Sequence, residues 1–60
     1  MNILLVVMMI APGEPAVQVQ IGLMNGPGIC EQTGRAIMAA LAVESPEVRA
    51  GYACVEQVAA

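Results

Sequence analysis

Ile3-Leu4-Leu5-Val6-Val7-Met8-Met9-Ile10-Ala11 is an unbroken apolar run that stops at Pro12-Gly13. A membrane-spanning helix needs about 20 apolar residues, so the run is far too short to cross as a helix. A secretory signal has an apolar region of about 7–15 residues, which fits by length. However, no Lys or Arg precedes the run. Its best small-residue cleavage pattern is Ala11-Pro12-Gly13, and Glu14 spoils a cut after Ala16. The third reading is a β-strand buried on both faces, since such strands are β-branched and lack alternation. Ile3, Val6, Val7 and Ile10 suit it. At the level of sequence, residues 1–11 are an apolar strand or a signal-like segment.

The rest of the chain is punctuated clearly. Pro12-Gly13-Glu14-Pro15 breaks any regular element and is short enough for a hairpin-like link. From Val17 to Met24 the pattern alternates, which predicts a half-buried strand. Val17, Val19, Ile21 and Leu23 should share one face, with Gln18 and Gln20 on the other. Asn25-Gly26-Pro27-Gly28 is a turn, and proline opens helices well at their first position. A helix is predicted from about Pro27–Ile29 to Glu44, with Glu31 and Gln32 in its first turn, where a carboxylate meets the positive end of the helix dipole. Cys30, Gly34, Ile37 and Leu41 fall on one helical face, with Met38 beside them. Ala36 to Val43 has no polar side chain, which predicts burial on more than one side. Ser45-Pro46 ends the helix. A last strand is predicted over Val48 to Val58, with Val48, Ala50, Tyr52 and Cys54 on one face and Arg49 and Gly51 on the other.

The expected fold is therefore α+β, a single domain over residues 1–60 in the order β-β-α-β. A strand-helix-strand unit over residues 17–58 follows the apolar start. One helix packs on a three-stranded sheet, and the crossover is right-handed if its two strands are parallel neighbours. One sheet face would then lack a cover within the chain, which asks for a second layer from outside.

Composition sharpens that expectation. The chain has 60 residues, of which 58% are hydrophobic and 12% charged. A domain this size hides only about 60% of the surface of its unfolded chain. It holds more apolar side chain than its interior can take, so partner contact, self-association, membrane contact or removal of a segment is expected. The net charge is -3, from five glutamates against Arg35 and Arg49. Phosphate neutralisation needs a basic stripe, so nucleic acid is set aside as a partner.

Cys30 and Cys54 are the two cysteines, and one pair allows one intramolecular disulfide. Such a bond points to an oxidising setting. Free structural thiols are the bland alternative. A reactive Cys30 with a pKa lowered at the helix start is the functional one, but there is neither a C-x-x-C motif nor a histidine base. The absence of histidine also excludes Ser-His-Asp and Cys-His catalysis. Glu14, Glu31, Glu44, Glu47 and Glu56 are scattered and read as solvated, not as an acid–base pair. Two cysteines without His or Asp make a poor metal set. The Asn25–Gly28 turn is an incomplete phosphate loop, with no Lys after it. Met8, Met9, Met24 and Met38 are read as core filling rather than as an adaptable binding surface. Gly34 in mid-helix suggests a close helix-to-sheet approach. No cofactor, no metal and no small-molecule substrate are expected, and the chain is read as not an enzyme.

Residues Val17 to Val55 resemble short accessory proteins of tailed bacteriophages and their proteobacterial hosts. The resemblance is carried by Gly26-Pro27, Cys30, Gly34-Arg35-Ala36 and Tyr52-Ala53-Cys54. It implies a phage or bacterial accessory protein and no catalytic residue. The leading functional expectation is a structural or assembly protein that packs apolar faces against copies of itself or a larger shell. The specific form is a virion component such as a capsid-decorating or cementing protein. The alternative is an exported periplasmic or secreted binding module with residues 1–13 as its signal. A small membrane-associated effector anchored by its first eleven residues is the weakest reading.

Overall fold

The computed structural model describes residues 2–57 and contains three strands and one helix in the expected order. Strand β1 is Asn2–Ile10, β2 is Val17–Met24, α1 is Pro27–Glu44 and β3 is Arg49–Gln57. The expected end of the last strand, Val58, lies outside the described residues, as does Met1.

The apolar run is the middle strand of the sheet. The strand order is β2-β1-β3, and β1 pairs antiparallel with both neighbours. This accounts for its composition: a central strand meets side chains on both edges and both faces. Ile3, Leu5, Val6 and Val7 are all buried. β2 and β3 therefore run parallel to each other but are not neighbours, because β1 lies between them. The condition for a simple parallel crossover is not met; α1 carries the chain across the central strand.

Each connection has local chemistry to match. Glu14 N–H donates to the Ala11 carbonyl at 3.1 Å, and Gly13 has φ +76°. Proline second and a positive-φ glycine third is the pattern of a type II turn. Pro27 occupies the first turn of α1, and the Cys30 N–H returns to the Gly26 carbonyl at 3.2 Å. Glu31 lies beyond the first turn of α1, which holds no acidic residue. The expected carboxylate at the helix start is thus displaced by one turn, because the helix begins at its proline. At the other end, the Ser45 N–H donates to the Leu41 carbonyl at 2.8 Å, and Pro46 follows.

The register corrects the reading of β2. Leu5 stands opposite Gly22 and Val6 opposite Gln20, leaving Ile21 without a partner of its own. A bulge of one residue switches the faces of the strand on either side of it. Val17 and Val19 consequently stand opposite Met9 and Val7, whereas Leu23 stands opposite Leu4. Because alternate residues of β1 face opposite ways, the four apolar residues of β2 do not share one face. Alternation in sequence cannot show where a ladder slips.

The core lies between α1 and the odd-numbered side of β1. Ile3, Leu5 and Cys30 are buried together, with Met24, Ile37, Tyr52 and Cys54 packed against them. Cys30 and Cys54 form a disulfide across a Cα–Cα distance of 6.1 Å, pinning the start of α1 to β3. One turn further on, Gly34 is buried under the Tyr52 ring. A Cβ at Gly34 would lie within 2.8 Å of three ring atoms, closer than real side chains approach. Its absence lets the helix settle on the aromatic face. The Tyr52 hydroxyl then donates to Glu31 Oε2 at 2.6 Å, so β3 is fastened to α1 at a third point. Arg35 Nε reaches the same oxygen at 3.9 Å, but that pair is largely solvated and contributes little.

α1 leans over β3 and β1 and touches β2 least. The second half of the helix is not buried on more than one side: Ala36, Ala39, Ala40, Ala42 and Val43 are exposed. The correction has a simple cause. One helix on one sheet has only one covered side, and Ile37, Met38 and Leu41 occupy it. The molecule is flat, with extents of 39 × 22 × 11 Å. Its accessible surface is 4281 Å², against about 3,700 Å² for a compact chain of this mass.

Two outcomes follow from this packing. Replacing both Cys30 and Cys54 by serine should remove about 3–4 kcal/mol of unfolding free energy, measured by urea titration, because the bond joins positions 24 apart in the sequence. Gly34→Ala should lower the thermal midpoint despite the better helix former, at a cost of about 1–3 kcal/mol for overpacking. In a Tyr52→Ala background the same change should be neutral or stabilising, and an additive pair would refute the ring contact.

Candidate functional site

The face of the sheet opposite α1 has no cover among the described residues. Alternation places Asn2, Leu4, Val6, Met8 and Ile10 of β1 on it. Their cross-strand partners extend it in rows: Leu23–Leu4–Val55, then Gln20–Val6–Ala53, then Gln18–Met8–Gly51. Asn2 meets Gln57 at one end of the face, and Ile10 meets Arg49 at the other. Leu23 is 60% exposed, Met8 and Ile10 are each 48%, and Val55 is 45%. Leu23 and Val55 flank Leu4 in one row, and Met8 and Ile10 lie further along the same strand beyond the buried Val6, so these side chains follow the central strand rather than being scattered singly.

The polar residues on the face are neutral except one. Gln18, Gln20, Gln57 and Asn2 are amides, and Arg49 stands at the margin. The glutamates lie elsewhere. Glu31 and Glu44 are on α1, Glu56 stands opposite Ile3 on the helix side, and Glu14 and Glu47 are outside the strands. The chain thus keeps its glutamates off the strand residues of this surface, and Glu14 and Glu47 come near it only at the Ile10–Arg49 end, although its net charge is -3.

The fold also gathers three charges that the sequence left apart. Glu14, Glu47 and Arg49 line one shallow groove of ≈ 340 Å³ with Ile10, Ala11, Pro12 and Gly13. The link after β1 and the turn before β3 meet there because β1 and β3 are paired antiparallel. The three charged residues are exposed, and none pairs within 4.0 Å among the described residues. A neighbouring groove of ≈ 260 Å³, lined by Met8, Ile10, Ala16, Arg49, Ala50 and Gly51, continues it toward the open face. Nothing in the residue pattern of either groove required this meeting; it follows from strand order alone.

Of the residues singled out in sequence, Cys30 and Cys54 are brought together and bonded, so Cys30 is no free nucleophile. The methionines divide. Met24 packs on the core, whereas Met8 belongs to the open face. Among the described residues no group of three or more His, Cys, Asp or Glu side chains converges on a metal-sized site. No helix there is long and apolar enough to cross a membrane. Comparison with known proteins yields no matching family model, no matching characterised protein and no matching solved structure.

Core and open face should respond differently to substitution. Leu5→Ala, at a fully buried position, should cost about 2–5 kcal/mol in a urea titration. Leu23→Gln, on the uncovered face, should change stability by about 0.5 kcal/mol or less.

Proposed function

We propose that this chain is a non-enzymatic assembly subunit that uses the open sheet face to pack against other protein subunits. The observation that carries this reading is the almost charge-free set of Leu4, Met8, Ile10, Leu23 and Val55 along and beside the central strand, left uncovered among the described residues. Covering such a face is the ordinary way for a sheet to complete its second layer. The disulfide supports service in an oxidising setting, where a small fold gains most from a covalent tie. Within this class, the resemblance to phage accessory proteins favours a virion component, such as a capsid-decorating or cementing protein. The place of Asn2–Ile10 as the central strand supports a working form that keeps its N-terminal segment, since both other strands pair only with it. An exported module cleaved near residue 13 would lose that strand.

Two measurements test the reading. An apolar fluorescent dye should bind the purified chain, and Leu23→Glu or Met8→Glu should reduce that binding several-fold. From the native source, the intact mass should retain the β1 segment, and thiol labelling should require reduction. A chain that binds no dye, or one found shortened by its first dozen residues, would overturn the proposal.

A further inference from the structure

Independently of the assembly reading, we infer that Asn25-Gly26 is a site of spontaneous covalent modification, where the Asn25 side-chain amide becomes a carboxylate through a cyclic imide with the Gly26 backbone nitrogen. The reaction is intramolecular and needs only water. The Gly26 nitrogen attacks Asn25 Cγ and gives up its proton. A new N–C bond closes a five-membered ring, and the side-chain amide leaves as ammonia. Water then opens the ring. Cleavage between nitrogen and Cγ restores the ordinary backbone and leaves an aspartyl side chain. Cleavage between nitrogen and the main-chain carbonyl leaves an isoaspartyl link, in which the backbone runs through the former side chain. Nothing is oxidised or reduced.

The structure leaves both reacting groups free. Asn25 is exposed and lies in the two-residue link between β2 and α1. The usual hydrogen bond of an asparagine in a turn comes from the N–H two residues on, but that residue is Pro27, which has none. Among the described residues the Asn25 side chain makes no hydrogen bond, and the Gly26 N–H makes no backbone one. Gly26 has no Cβ to shield its nitrogen, and no atom beyond its chain neighbours comes within 4 Å of where one would stand. Asn2 is the contrast. It is paired with Gln57 in the central strand, and the residue after it, Ile3, is β-branched, 4% exposed and crowds the nitrogen.

The two products act differently on α1. Its first turn holds no acidic residue, and its N-cap is Gly26. An aspartyl carboxylate just before that cap meets the positive end of the helix dipole, which favours it. The isoaspartyl link instead adds a backbone carbon to a short connection whose ends are fixed. Met24 is packed on the core, and Cys30 is bonded to Cys54. The isoaspartyl form should therefore have the lower thermal midpoint.

Incubating the full, disulfide-bonded chain in neutral buffer, then reducing it and cleaving after glutamate, tests this. Such cleavage separates residues 1–14, with Asn2, from residues 15–31, with Asn25. The second fragment should gain the mass of one amide-to-acid exchange at least tenfold faster than the first, and as two chromatographically distinct isomers. Gly26→Ala should slow the gain at least tenfold with an unchanged circular dichroism spectrum, because Gly26 is extended at φ -170° and has room for a Cβ. In urea, with the disulfide reduced, the rate should stay within tenfold of the folded rate. A larger rise on unfolding would mean that the fold protects Asn25, and it overturns the inference. So does a fragment that gains no mass, an aspartyl isomer alone, which is direct hydrolysis, or a rate that Gly26→Ala leaves unchanged.

Discussion

The whole sheet hangs on the two-sided pairing of β1. Its backbone N–H and C=O groups are shared between β2 and β3, which have no ladder with each other. Buried backbone groups need partners, so a middle strand with neighbours on both edges is the one element that cannot be peeled away at small cost. Its side chains serve both faces as well. Ile3, Leu5 and Val7 look toward the helix side, and Leu4, Val6 and Met8 look away. A strand that serves two faces must be apolar throughout, which is why the run shows no alternation.

Much of this was legible from the residues, and the misses share a cause. The elements and their order were readable because Pro12-Gly13, Gly26-Pro27 and Ser45-Pro46 act locally, fixing dihedrals within a few bonds. The helix core face, Cys30 through Leu41, was readable from its period alone. What escaped was set at a distance. The bulge at Ile21 depends on how β2 meets Leu5 and Val6, and no pattern within Val17–Met24 reveals it. The insertion of β1 between β2 and β3 is likewise a choice of partners. So is the meeting of Glu14 and Glu47 beside Arg49. Burial of the helix was overestimated because an apolar sequence states what a segment tolerates, not how many layers are available. The open face stands between these cases: the apolar surplus was visible in composition, but which side chains form the face required the register.

A flat fold also explains the fastenings. With an 11 Å short dimension, the molecule has no deep interior, and the ordinary hydrophobic contribution is correspondingly small. α1 is therefore held to β3 by three unlike devices within five residues of the helix, Cys30 to Gly34. The Cys30–Cys54 bond is covalent, the Gly34–Tyr52 contact is steric, and the Tyr52–Glu31 hydrogen bond is polar. None of the three engages the open face, which leaves that surface unencumbered by the needs of the fold.

Asn2 stands directly opposite Gln57, so the chain enters and leaves the sheet at the same corner. A load applied between these two points would open the β1–β3 ladder from its end, one rung at a time. Three residues in from Gln57 the load reaches Cys54, whose sulfur is tied to Cys30. From there tension passes through the disulfide to the start of α1. Residues 31–53, which include most of the helix and the first half of β3, lie in the closed loop and are shielded from it. The bond thus divides the molecule into a stretchable margin and a sheltered hoop, and the hoop contains the Tyr52–Gly34 contact that seats the helix on the sheet.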